Sequence, residues 1–336
     1  VDGDIVEQVA GALRSGEPAA LFIGGRACRG ALLDTAAAIA SATGAKLLSE
    51  TFPARLERGA GRPPVERLGY LAELASAQLD GLRHLVLVDA KSPVSFFAYP
   101  DKPSDLVPDG CRVHALAGPG HDAAGALEAL AAAMGVRPDA APRHPVARPE
   151  RPTGALTAEA AAAAIGALLP EGAIVSDEGN TSGLFAAGFS AGAPPHDWLC
   201  LTGGAIGQGL PVAAGAALAC RDRRVVALEA DGSALYTLQA WWTMAREGLD
   251  VTTVLFNNRS YAILNMELGR VGAAAGPRAR DMLDLSRPDL DFVALARGLG
   301  LAASRATTAH ELVEQLERSL ATPGPSVIEA IVPPVL

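Results

Sequence analysis

The stretch "VVALEADGSALY" (225–236), with "TTVLFNNRSYA" (252–262) behind it, decides the fold. Each carries a short unbroken apolar run, Val225–Leu228 in the first and Val254–Phe256 in the second, and ends at polar residues, Asp231-Gly232-Ser233 and Asn257-Asn258. Unbroken runs, unlike alternating ones, mark strands covered on both faces, as in the parallel sheets of α/β proteins. Between them, residues 234–247 carry a helical pattern that ends at Gly248, with Leu235, Leu238, Trp242 and Ala245 expected on its core side. A strand-helix-strand unit of this kind sets the two polar strand ends side by side. Doubly wound sheets bind their ligands at that edge.

The pattern repeats in both directions. Strands are expected at 173–176 and 326–332, and helices at 211–220, 289–298 and 309–321, with Thr157 as the N-cap of a further helix. His196, in "PPHDW", reads as a surface-loop histidine. Upstream, "AALFIGG" (19–25), "AKLLSE" (45–50), "HLVLVDA" (84–90) and "RVHALAG" (112–118) read as buried strands, with a helix over 31–44. "VRPDAAPRHPVARPERPT" (136–153) is too rich in proline and arginine to sustain either period and reads as a linker. The expected fold class is therefore α/β, with two doubly wound parallel-sheet domains at 1–135 and 154–336.

Composition narrows the function. With 336 residues the chain is long enough for two cores, and 49% hydrophobic against 19% charged residues excludes global disorder. A net charge of −9 without a basic stripe argues against nucleic acid as a partner. The longest uncharged stretch, 203–220, is interrupted by Gln208, Pro211 and glycines, so no membrane span is expected. Cys28, Cys111, Cys200 and Cys220 lie far apart, which fits a reducing cytoplasmic setting and no zinc ribbon. Lysine occurs only at 46, 91 and 102, and there is no phosphate-binding G-x-x-x-x-G-K-[ST] loop and no paired histidine motif. Pyridoxal phosphate, Walker-type hydrolysis and histidine-bound zinc are set aside.

A helix starting just after Asp231 would turn free N–H groups toward a phosphate, and Gly232 would let the backbone come close. Asp231 itself repels phosphate; a divalent cation between them removes the conflict. Mg²⁺ is commonly held by one or two side chains together with substrate phosphates, and Asn258, on the neighbouring strand end, is a suitable neutral oxygen donor. Taken singly, D-G-S and N-N are also ordinary turns and caps.

In combination and at this spacing the two motifs resemble the thiamine diphosphate signature, G-D-G followed by N-N, with Ala230 here at the first glycine. From about 154 to 333 the chain is similar to the pyrophosphate-binding domain of the acetolactate synthase and benzoylformate decarboxylase family, and 1–135 to its middle domain. The resemblance implies Mg²⁺ on the side chains of Asp231 and Asn258 and the backbone carbonyl of Ser260. It sets Gly232, Ser233 and Tyr261 against the diphosphate, with Asn180 and Thr181 as further contacts. Within "GGAIGQGLP" (203–211) it puts Ile206 under the cofactor, forcing its rings into a V, and the Gly204 carbonyl against the aminopyrimidine. FAD or another nucleotide at the Gly24–Gly25 turn is a weaker expectation, since "GGRACRG" is not G-x-G-x-x-G.

The implied activity is decarboxylation and carboligation of 2-oxo acids, acetolactate synthase large-subunit-like. A benzoylformate decarboxylase-like reaction is the alternative, and a non-catalytic binding module that keeps the fold is a second. Glu267 stands at or beside the place of the acceptor-selecting tryptophan of acetolactate synthases, and "SPVSFFAYPD" (92–101) lacks the histidine of benzoylformate decarboxylases. No catalytic residue is assigned here, because the family's activating glutamate belongs to an N-terminal domain. Three explanations are open, a fragment lacking that domain, a chain completed by a partner or a relic without activity, and the opening Val1 favours the first. A homo-oligomer, dimer or tetramer, is also expected.

Overall fold

The computed structural model describes residues 1–100, 102–273 and 276–335. They form two compact units that divide between His144 and Pro145.

The first unit holds β1 (Ala19–Ile23), β2 (Lys46–Ser49), β3 (Leu56–Arg58), β4 (Glu66–Arg67), β5 (His84–Val88) and β6 (Arg112–Ala117). Its five-stranded parallel sheet runs β4-β2-β1-β5-β6, and β3 lies outside it. Successive residues of a strand face opposite sides. Leu21 and Ile23 therefore pack with Ile39 and Leu127 of the helices Gly30–Thr43 and Ala123–Met134. Ala20 and Phe22 pack the other way, with Leu79 of the helix Ala72–Leu79.

The second unit contributes β7 (Ile174–Glu178), β8 (His196–Cys200), β9 (Val225–Ala230), β10 (Val251–Asn257), β11 (Ala302–Ala306) and β12 (Ser326–Ile331). They run β11-β12-β10-β9-β7-β8, all parallel. On one face Val225, Ala227, Val251 and Leu255 pack against Leu210, Trp241, Met244 and Phe292 of three helices. Toward the other face the helix Ala309–Ala321 buries Leu312, Val313 and Leu316. The Thr157 hydroxyl accepts from the Ala160 N–H, so the expected cap is formed. Both units are thus α/β with helices on both faces of a parallel sheet.

Three local expectations fail, each for a visible reason. His196 is buried, not on a surface loop: it opens β8, where Nδ1 meets the Pro194 carbonyl at 2.8 Å. The 234–247 helix is two pieces, a turn at Asp231–Ala234 and a helix at Gln239–Glu247. This register buries Ala240, Trp241 and Met244 and leaves Trp242 exposed, its ring beneath the Arg246 guanidinium. Adjacent residues point about 100° apart on a helix, so only one of the two tryptophans can face the sheet. β11, "AASRA", was not anticipated, because small and polar residues on an edge strand carry no apolar signal.

Candidate functional site

β9 and β10 pair in parallel with Ala230 opposite Phe256, so both chains leave the sheet at one level. Asp231 follows β9 and begins a single helical turn, while Asn257 closes β10. The Asp231 side chain is 2% exposed. Its Oδ1 accepts from the Gly232 N–H at 2.8 Å, and its Oδ2 from the N–H groups of Asn258 (3.0 Å) and Arg259 (2.7 Å). Burial pushes its pKa from 3.8 to about 6, with the backbone donors pulling the other way. A carboxylate withheld from water and answered only by amide dipoles is a group that a divalent cation would stabilise.

The neighbouring side chains close the network. Asn258 Nδ2 donates to Ser182 Oγ at 3.1 Å, and its Oδ1 accepts from the Ser260 N–H at 2.9 Å. Asn180, left-handed at φ 46°, donates from Nδ2 to Ser233 Oγ at 3.2 Å. Ser233 Oγ in turn donates to Glu229 Oε1 at 2.9 Å. The Tyr261 ring lies over Gly232, where an added Cβ would stand 2.5 Å from its Cε1. Asp231, Gly232, Ser233, Asn258, Ser260, Tyr261 and Asn180 thus share one strand edge. Thr181 is buried beside them.

Gly204 and Ile206 lie on a loop ahead of the helix Gly209–Ala219, with Ile206 44% exposed. The loop is tied to the same edge: Thr237 Oγ1 donates to the Gly207 carbonyl at 3.0 Å, and the Gly207 and Gly209 N–H groups donate to the two oxygens of Glu178. Glu178 and Glu229 stand opposite each other on β7 and β9, both 1% exposed. Burial first, then the other carboxylate, pushes Glu229 far up, while Glu229 Oε2 has no hydrogen-bond partner among the described residues. Sequence reasoning missed Ser182, Glu178 and Glu229. The signal was "DEGNTS" (177–182), a second polar strand end that lands in register with the first.

Among the described residues no three His, Cys, Asp or Glu side chains gather as a metal site. Asp231 with Asn258 and a carbonyl is instead the sparse oxygen set that Mg²⁺ tolerates when phosphates complete its shell. The Gly24–Gly25 turn suits FAD or another nucleotide poorly. The Arg26 N–H is taken by Asp89 Oδ2 at 2.7 Å, and a Cβ on Gly24 would stand 2.8 Å from Glu50 Oε2. Two carboxylates at that turn repel a diphosphate. Glu267 pairs with Arg270 one turn along its own helix, at 3.6 Å. No helix among the described residues is long and apolar enough to cross a membrane.

Residues 177–330 match the family described as "Thiamine pyrophosphate enzyme, C-terminal TPP binding domain". Over 332 residues, 98% of the chain, the sequence is 58% identical to the Mycobacterium tuberculosis protein named "Putative acetolactate synthase large subunit IlvX", of which it covers 64%. Over 193 residues, 57% of the chain, it is 34% identical to a benzoylformate decarboxylase of Pseudomonas aeruginosa, of which it covers 35%. The chain therefore spans less than two thirds of either relative. Its fold is shared with the thiamine diphosphate-dependent 4-hydroxybenzoylformate decarboxylase of Rhodococcus jostii RHA1. That likeness has a TM-score of 0.74 at 23% identity, covering 99% of this chain and 64% of the other.

Proposed function

We propose, from the match of residues 177–330 to the C-terminal TPP-binding domain family of thiamine pyrophosphate enzymes, that this chain binds thiamine diphosphate with Mg²⁺ and serves C–C bond chemistry on 2-oxo acids. In this reading Asp231 and Asn258 hold the cation by side chain and Ser260 by its carbonyl. Gly232, Ser233, Tyr261, Asn180 and Thr181 line the diphosphate, and Gly204 and Ile206 meet the ring end. When bound, the cofactor supplies the nucleophilic carbon and the electron sink, while the chain binds, orients and excludes water. The observation that carries the proposal is Asp231, buried at a strand tip with backbone N–H partners and Asn258 at its side.

Acetolactate synthase-like carboligation is the first reading, supported by the 58% identical relative. Decarboxylation without ligation, as the benzoylformate decarboxylase name describes, is the second. Glu267 supports it, standing at or beside the place of the acceptor-selecting tryptophan that the resemblance calls for and pairing with Arg270. An activating glutamate on a further domain or partner chain, and assembly into a homo-oligomer, belong to both readings.

Calorimetric titration with thiamine diphosphate tests the proposal. Binding is expected only with Mg²⁺, and Asp231→Ala is expected to abolish it. No heat at millimolar cofactor and Mg²⁺ with the wild-type chain would leave a fold-retaining binding module as the better account. Products from pyruvate and benzoylformate, scored as acetolactate or free aldehyde, separate the two catalytic readings.

A further inference from the structure

We propose that Glu178 is a positioning residue, whose carboxylate holds the 203–209 glycine loop at the strand edge and so sets where Gly204 and Ile206 meet the ring end of the cofactor. The proposal rests on the thiamine diphosphate reading above. Glu178 is the last residue of β7 and has both oxygens engaged, one by the Gly207 N–H and one by the Gly209 N–H. The loop needs such an anchor, because Gly203, Gly204 and Gly207 all sit in the left-handed region, at φ 64°, 65° and 88°. Glycines are the residues with most freedom to lose on ordering.

The other ties converge on the same end. Ser176 Oγ donates to the Gly209 carbonyl at 2.9 Å, and Gln208 Nε2 donates to the Cys200 carbonyl at 3.2 Å. Gly209 fits so closely that an added Cβ would stand 2.7 Å from Glu178 Cβ and 2.8 Å from Glu229 Oε2. The loop tip thus projects from a base that closes on one buried carboxylate. Glu178 has no place among the residues assigned to the cation or the diphosphate, and both of its oxygens go to the loop, so its loss is expected to weigh most on the ring end.

Glu178→Gln tests this, since it keeps the shape but turns an NH₂ toward an N–H donor. The full chain with Mg²⁺ is titrated with thiamine diphosphate and, separately, with inorganic pyrophosphate, and amide exchange is followed at Gly207 and Gly209. Expected are about tenfold weaker thiamine diphosphate binding, pyrophosphate binding within about twofold of wild type, and at least about tenfold faster exchange at the two amides with β9 protection unchanged. Equal losses for both ligands, no loss for either, or unchanged exchange would overturn the assignment. Glu178→Asp, with shorter reach and the charge kept, is expected to show the same pattern more weakly, and decides the matter if the glutamine variant does not fold. Failure of the cofactor reading shows separately, as absence of thiamine diphosphate binding in the wild-type arm, and takes this assignment with it.

Discussion

Asp231 is protonated in both states below about pH 3.8, and above about pH 6 it is ionised in both. Because its folded-state pKa lies above its unfolded one, the folded chain binds the extra proton between those limits. Stability contributed by this group is therefore present at low pH and lost as pH rises through the window, by about 3 kcal/mol at most. Without a divalent cation, urea midpoints are expected to fall for this reason between pH 4 and 6. With saturating Mg²⁺ and thiamine diphosphate the cation favours the carboxylate, so the gap between loaded and unloaded midpoints should widen as pH rises. A constant gap would contradict the role given to Asp231. At the adjoining residue, Gly232→Ala forces the Tyr261 ring aside and is expected to cost about 1–3 kcal/mol, read as a lowered urea midpoint.

Among the helices, Ala309–Ala321 has the most complete start, with Thr308 and Glu311 forming a reciprocal capping box. Thr308→Ala is expected to cost about 1 kcal/mol of stability in thermal melts. In the first unit, β5 and β6 bring His84 Nδ1 within 3.0 Å of His114 Nε2, while His84 Nε2 meets Glu17 Oε2 at 2.9 Å. Burial first, then His84 and Arg112, push the His114 pKa down. A histidine lowered in the folded state contributes stability that is present above its unfolded value of about 6.5 and is lost as pH falls from there through its lower folded value. Hydrogen-exchange protection of β5 and β6 should therefore decline as pH falls through that range, and His114→Gln should flatten the decline.

What could be read at this scale follows from how strands announce themselves. β9 and β10 were legible because all thirteen of their residues but Ala230 are buried, and the apolar runs Val225–Leu228 and Val254–Phe256 reach almost to the polar tips. β8 was not, since His196 and Asp197 lead it and their polarity is answered only in the fold: Asp197 pairs with Arg223 at 2.7 Å, and Trp198 Nε1 donates to Asp177 at 2.9 Å. Of the residues expected on the core side of the 234–247 segment, Leu238 and Ala245 do pack against the core, while Leu235 and Trp242 were misread because the start of the Gln239–Glu247 helix could not be located from the sequence. Asp231 and Asn258 could be paired in advance because one helix and one strand separate them. Ser182 and Glu178 could not, because β7 reaches β9 only through the longer crossover that carries β8.

For the whole molecule, every residue assigned to the cofactor comes from the unit that begins at Pro145. A chain from Pro145 onward is therefore expected to retain Mg²⁺-dependent thiamine diphosphate binding within about tenfold of the full chain, measured by calorimetry. Loss beyond that would mean the first unit contributes to the affinity. The strand order β11-β12-β10-β9-β7-β8 also has a kinetic consequence. Three segments distant in sequence, 178–182, 203–209 and 229–261, converge only once the central strands have docked through their crossovers, so no partly folded chain offers a grip for the ligand. Mg²⁺ and thiamine diphosphate should then leave the refolding limb of a chevron plot unmoved and slow only the unfolding limb, as a latch that engages after the door has shut.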